Sequence, residues 1–354
     1  MTFKVIQWAT GGVGCAGIQG ILSHPELDLV GAWVHSDAKV GRDAGELAGE
    51  APVGVAATND IDALLATDAD CVFYSPIMGE KKTVLRILES GKNIVTPLNW
   101  FYRGERDWSD VESACQKGGV TLHGTGIHPG GITERFPLMV SALSRAITHV
   151  RAEEWSDLRS YGAPFVVGEI MLFGKTPEEA RKSSMPAMLA DGFIQSMDMV
   201  ADALGFDLDA EKTTSHEIGI ATKPLDSPIG VIEPGLVAAQ RFTWQASVRG
   251  EPVITVRTNW FMGEEGFDTG WTFGPEGERF EVEVTGDPSG KATFHGWHPE
   301  TPEEGLERNP GIVATATHGI SAIPAVCRAE PGIKSYLDLP LVSGKAAPGL
   351  SRRL

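Results

Sequence analysis

The chain has 354 residues, 42% of them hydrophobic and 22% charged, with 42 Gly and 22 Pro; the length asks for two domains, and the balance excludes a disordered or collagen-like chain. Thirty Lys and Arg against 47 Asp and Glu leave a formal charge of −17, a field that repels phosphate backbones and excludes nucleic acid as the expected partner. No stretch reaches the roughly 18 uninterrupted apolar residues of a membrane span, and residues 1–6 have no signal-peptide features, so a cytoplasmic protein without a membrane partner is expected.

Residues 1–145 alternate short β-branched runs with helix-length amphipathic runs, the pattern of βαβ units in a doubly wound parallel sheet. The first expected strand, residues 4–9, runs into Thr10-Gly11-Gly12-Val13-Gly14-Cys15-Ala16-Gly17, where Gly12, Gly14 and Gly17 satisfy G-x-G-x-x-G ahead of a helix over 13–22. The glycines permit a tight turn, close approach to a pyrophosphate and close helix–strand packing, and the helix N-terminus offers free N–H groups to the phosphates. Gly11, Gly12, Val13 and Gly14 are therefore candidate dinucleotide ligands.

The second strand, 29–34, ends in Val34-His35-Ser36, where an NAD site would place a carboxylate for the ribose 2′-OH. Asp37 comes late, while Lys39 and Arg42 lie in the same loop. His35, Ser36, Lys39 and Arg42 thus predict a preference for NADP(H), with NAD(H) as the alternative cofactor. The competing reading is that the two cations solvate a surface loop.

Three further strands are expected over 70–74, 93–96 and 120–123, with helices over 81–89 and 108–117 ending near Gly91 and Gly118, where a left-handed cap belongs. Ligands of open α/β sheets lie beyond the carboxyl ends of the strands. Ser75-Pro76, Thr96-Pro97 and the loop Gly126-Ile127-His128-Pro129-Gly130-Gly131 follow three of these ends.

After His149 strands follow one another with period-two alternation, predicting an α+β domain with a mainly antiparallel sheet. Phe242, Trp244, Ala246 and Val248 share one face; Phe280, Val282 and Val284 do likewise, with Glu281 and Glu283 outward. Thr176-Pro177-Glu178-Glu179 is a capping box with Pro at the first helical position, and residues 191–204 form a second helix. The expected division is a Rossmann domain over 1–145, with 310–340 packing back on it, and a substrate-binding and dimerisation domain over 146–309. Cys15, Cys71, Cys115 and Cys327 stand far apart without a C-x-x-C pair, and His295 and His298 have no acid or cysteine at ligand spacing. No metal site is expected.

Trp8-Ala9-Thr10-Gly11-Gly12-Val13-Gly14, residues 40–47, Gly126-Ile127-His128-Pro129-Gly130 and Ala322-Ile323-Pro324-Ala325-Val326 together resemble proteins with a dihydrodipicolinate-reductase-like N-terminal domain. More narrowly, the chain resembles the 2,4-diaminopentanoate dehydrogenase and native amine dehydrogenase branch, of mycobacterial type. The resemblance implies reversible hydride transfer between NAD(P)H and a C–N carbon, with ammonia condensing on a small ketone or aldehyde in the reductive direction. It also implies a homodimer and a catalytic Glu soon after the fourth-strand loop, carried here onto Glu105. A carboxylate in an apolar pocket can hold ammonium and exchange its proton, provided its pKa is matched. Glu134, Glu154 and Asp157 compete for the role. His128, Phe136, Trp155, Tyr161, Phe193, Gln195 and Met199 are candidate walls of the substrate pocket. Two alternatives stay open: a carbonyl or imine reductase that needs no free ammonia, and an NADP(H)-binding sensor without turnover.

Overall fold

The computed structural model describes residues 2–274, 277–297, 308–347 and 350. The chain divides into two compact units, Met1–Gly131 with Ile312–Leu354, and Ile132–Gly311. The first unit opens with β1 (Phe3–Trp8), α1 (Gly12–Ser23), β2 (Leu27–Trp33), α2 (Ala44–Leu47), α3 (Ile61–Ala66), β3 (Cys71–Tyr74), α4 (Lys81–Glu89), β4 (Asn93–Thr96), α5 (Ser109–Gly118) and β5 (Thr121–Gly124). The second contains a π-turn (Gly131–Arg135), α6 (Phe136–Ser141), β6 (His149–Asp157), α7 (Pro177–Lys182), α8 (Met185–Leu204), β7 (Thr213–Ile220), the ribbon β8 (Leu225–Ser227) and β9 (Gly230–Ile232), then β10 (Val237–Val248), β11 (Glu251–Phe261), β12 (Arg279–Thr285) and β13 (Gly290–Phe294). The chain closes with α9 (Pro310–Val326) and β14 (Gly332–Ile333).

The first unit is a six-stranded parallel sheet in the order β14-β5-β4-β3-β1-β2. Its strands are largely buried because both faces are covered. Ile6, Val72, Ile94 and Leu122 meet Val84 and Ile87 of α4 and Val111 and Ala114 of α5. On the other face Val5, Cys71, Phe73 and Val95 meet Ala16 and Ile21 of α1 and Ala316, Ile320 and Ile323 of α9. The left-handed cap of α5 is Gly119, at φ 67°, one residue beyond the expected Gly118.

The second unit carries a sheet in the order β13-β12-β6-β11-β10-β7, antiparallel except for the β6–β11 pair. Period-two alternation gives it two unlike faces. Phe242 and Trp244 lie under α8, with Phe193 stacked on Trp244 at 4.4 Å between ring centroids. Arg151, Glu153, Arg257 and Glu281 occupy the opposite face in register. The capping box at Thr176 forms with both reciprocal hydrogen bonds. Helix α8 starts at Met185, six residues ahead of the expectation, with Pro in its first turn. Helix α6, placed before the expected boundary at 145, packs on β12 and β13 and belongs to this unit. Among the described residues no helix is long and apolar enough to cross a membrane.

Candidate active site

The strand order reverses between β1 and β3, and the glycine turn leaves the carboxyl end of β1 at that switch point, where α/β sheets bind their ligands. Ala9 turns the chain at φ 76°, a region that side chains rarely adopt. A Cβ on Gly14 would stand 2.1 Å from the Ala9 carbonyl oxygen, so only glycine fits there. Gly11 caps α1 without a side-chain hydrogen bond, and the first turn of α1 carries no acidic residue. Its N–H groups are thus left for an anion. This cradle fits a dinucleotide pyrophosphate held by Gly11, Gly12, Val13 and Gly14.

Gln7, fully buried beneath the turn, ties the two strands of the switch point together. Its amide donates to the Ala9 carbonyl at 3.0 Å and to Ser75 Oγ at 2.9 Å. The sequence reading passed over it because a polar residue inside a strand carries no motif. Ser75 and Thr96 are buried at the ends of β3 and β4, with Pro76 and Pro97 half-buried after them. His35, Ser36 and Arg42 are exposed on the segment after β2. Lys39 is instead committed to the glycine turn, donating to the Thr10 carbonyl at 2.8 Å.

Sequence reasoning also missed a cluster at the carboxyl end of β5. His318 of α9 stacks on Tyr336 and lies 2.6 Å, through Nδ1, from the Gly126 carbonyl; Thr125 Oγ1 contacts both rings' polar atoms. Burial pushes the neighbouring His123 down to about 4, so it is neutral. These groups fix the turn that leads into the loop containing His128, which is half-buried.

In the second unit the candidate wall residues divide. Phe193, Gln195 and Met199 are buried along α8. Trp155 is on the opposite face of the sheet, against Phe273 and beneath the guanidinium groups of Arg241 and Arg279. Tyr161 packs on the cluster around Leu158, Val167 and Phe173, and Phe136 stacks on Phe294 at 4.6 Å. One pocket lined by all of them is therefore not formed, because alternation sends Trp155 to the face away from α8.

Two of the four candidate carboxylates, Glu105 and Glu134, differ sharply in setting. Glu105 is exposed on the loop between β4 and α5, so the apolar surroundings that the chemistry asks for are missing there. Glu134, in the π-turn, is fully buried. Ser196 Oγ of α8 donates to its Oε1 at 2.6 Å, and Thr133 Oγ1 donates to Ser196 at 3.0 Å. Oε2 has no partner among the described residues. Burial pushes the Glu134 carboxyl up to about 8, against the smaller opposing effect of Ser196. It is therefore protonated at neutral pH and poised to exchange its proton just above it.

A glycine-turn dinucleotide cradle at the switch point of a parallel sheet is the mark of an NAD(P)-dependent dehydrogenase. Residues 132–347 match the model of the 2,4-diaminopentanoate dehydrogenase C-terminal domain. An amine dehydrogenase from Streptomyces virginiae is 32% identical over 354 residues, 96% of this chain and 96% of that one. A 2,4-diaminopentanoate dehydrogenase from Acetoanaerobium sticklandii is 26% identical over 66% of this chain and 61% of its own length. The chain belongs to the 2,4-diaminopentanoate dehydrogenase and amine dehydrogenase family. The fold agrees with the solved amine dehydrogenase of Mycobacterium smegmatis, with a TM-score of 0.77 at 21% identity over 98% of each chain. A scyllo-inositol dehydrogenase from Lactobacillus casei, solved with NAD(H) and scyllo-inositol, matches at a TM-score of 0.55 and 15% identity over 92% of this chain and 89% of that one.

Proposed function

We propose that the enzyme interconverts a small aliphatic or cyclic amine with its ketone or aldehyde and ammonia, with Glu134 as the proton-exchanging carboxylate. The carrying observation is the buried Glu134, protonated at neutral pH, in a chain whose relatives are named for oxidation at C–N bonds. When bound, the reduced nicotinamide supplies the hydride that the C–N carbon accepts. Glu134 gives its proton to the departing hydroxyl as the carbinolamine of ammonia and carbonyl loses water, and in the reverse direction takes that proton back from the water that attacks the iminium. Ser196 and Thr133 orient the carboxyl through the hydrogen bonds described above.

The exposed Arg42 supports a preference for NADP(H), because no carboxylate closes β2 against a 2′-phosphate. Cys15, Cys71, Cys115 and Cys327, none of them in a disulfide, support a reducing, cytoplasmic setting. A homodimer is inferred from family resemblance, and light scattering near 37.9 kDa would count against it.

The test follows NADPH and NADH absorbance with cyclohexanone and short aldehydes, with and without ammonium. Oxidation that requires both carbonyl and ammonium is expected. Turnover without ammonium would make the enzyme a carbonyl reductase. Glu105→Gln is expected to keep near-normal turnover and Glu134→Gln to lose it; the opposite pair of results would return the role to Glu105.

A further inference from the structure

The polar face of the second unit's sheet holds a cavity of about 560 Å³. Five cationic side chains line it, Arg151, Arg241, Arg257, Arg279 and Lys291, against the two carboxylates Glu153 and Glu281. This concentration of positive charge stands out in a chain with a formal charge of −17.

The carboxylates are already committed. Glu281 accepts from Arg279 at 2.5 Å, from Arg151 at 3.0 Å and from Lys291 at 3.0 Å. Glu153 is bonded by Arg151 and by Asn259 at 3.0 Å, and reaches Arg257 only at 3.4 Å. At the rim, Glu283 pairs with Arg151 at 2.6 Å and Glu217 accepts from the Trp271 indole at 3.2 Å.

Arg241 and Arg257 are the least neutralised: Arg257 has Glu153 at 3.4 Å and donates through Nε to Thr243 Oγ1 at 3.1 Å, and Arg241 has no ion pair among the described residues. Register places Arg241 opposite Asn259 and Thr243 opposite Arg257, so the two arginines are diagonal neighbours on one face. Diagonal neighbours are within reach of long side chains, and the Arg257 charge acts against that of Arg241. Arg241 Nε donates to Asn259 at 2.6 Å, yet among the described residues its terminal nitrogens make no ion pair or hydrogen bond. Its guanidinium lies between two indoles, 4.2 Å from the Trp271 ring and 5.5 Å from that of Trp155. Burial, then the Glu217, Arg257 and Glu153 fields, act on its charge, with a net effect against it. Trp155, also in the lining and 5% exposed, has an indole N–H with no partner among the described residues. The fork is thus held rigidly by stacking, with donors left unused beside an orphan N–H.

We propose that this cavity binds a multiply charged oxyanion, phosphate or a di- or tricarboxylate, on Arg241, Arg257 and the Trp155 N–H. Two guanidinium forks with one neutral N–H match the several oxygens of such a group, and the anion relieves the arginine pair.

The test is calorimetric titration of the full chain with inorganic phosphate and with citrate, at ionic strength matched with sodium chloride. NADPH is kept saturating so that the dinucleotide cradle is filled. One saturable site per chain is expected. Arg241→Gln and Arg257→Gln should each weaken it by roughly tenfold or more, Arg241→Lys should restore only part of the affinity, and Arg86→Gln, an exposed arginine of the first unit, should leave it unchanged. Absence of saturable binding to the unmodified chain at millimolar anion overturns the proposal, whatever the folding of the variants. So does equal binding by a folded Arg241→Gln. A change of mass in Arg241→Gln by light scattering, with anion binding intact, also overturns it by assigning the cluster to contact with a second copy.

Discussion

Replacing Glu134 with Gln separates the buried acid's effect on stability from its effect on turnover. The native carboxyl titrates at about 8, against an ordinary value of 4.5. Between those pH values the unfolded chain releases a proton that the native chain keeps. The native state then binds more protons, and linkage makes the stability of the unmodified protein fall as pH rises. The slope is about 1.4 kcal/mol per pH unit, so from pH 5 to pH 8 the loss reaches about 4 kcal/mol. Below about 4.5 both states are protonated and the loss vanishes. Gln keeps the shape and still accepts the Ser196 hydroxyl at its carbonyl, but has no proton to release. Urea unfolding across pH 5 to 9 should therefore show the variant gaining on the parent by several kcal/mol with rising pH. Its turnover should fall by roughly 10²- to 10⁴-fold. In the parent, amine oxidation should gain rate as Glu134 ionises near pH 8, and reductive amination should lose it over the same range. Parallel stability curves for parent and variant would refute a buried neutral Glu134.

Three other substitutions probe the parts around it. Gly14→Ala puts a Cβ at 2.1 Å from the Ala9 carbonyl, a backbone atom that cannot swing aside, so dinucleotide binding followed by nicotinamide fluorescence should be lost; parental affinity would show that the turn tolerates a side chain. Arg42→Ala should raise KM for NADPH by about tenfold, the loss of one charge-assisted phosphate contact, and leave KM for NADH unchanged; an equal change in both would remove Arg42 from cofactor selection. Trp244→Ala empties a fully buried position stacked on Phe193 and should cost about 3–5 kcal/mol in urea unfolding; a cost under about 1 kcal/mol would mean that α8 does not anchor on this face.

The parallel sheet and its cradle were legible because their signals are local. The five strands β1 to β5 stand at or near the short β-branched runs between turn residues, and the glycines stand directly after β1. Helix α8 begins ahead of the expectation at Met185: Ser184 stands at its N-cap without a side-chain capping hydrogen bond, and the start is set by Pro in the first turn and by burial of Met185. The candidate acid was less legible. Glu105 follows the fourth-strand loop, where a resemblance put it, but exposure is decided by the course of the loop. Glu134 is buried against Ser196 of α8, 62 residues away, a pairing that no local spacing announces.

The divided aromatic wall follows from the same distinction between local and paired information. Alternation in β12 shows from sequence alone that Phe280, Val282 and Val284 face one way and Arg279, Glu281 and Glu283 the other. It does not show which phase of β6 joins which, because a one-residue slip would exchange every side chain between faces. Only the pairing of Trp155 with Arg279 and with Asn259 places that indole among the arginines rather than under α8. Once there, its large ring serves as a platform for Arg241 and Arg279, and the sheet acquires one face built for apolar packing and another built around concentrated charge. The first face fixes α8, and with it Ser196 against Glu134. The second is free of that task, which is why an excess of arginine can be carried there without disturbing the acid.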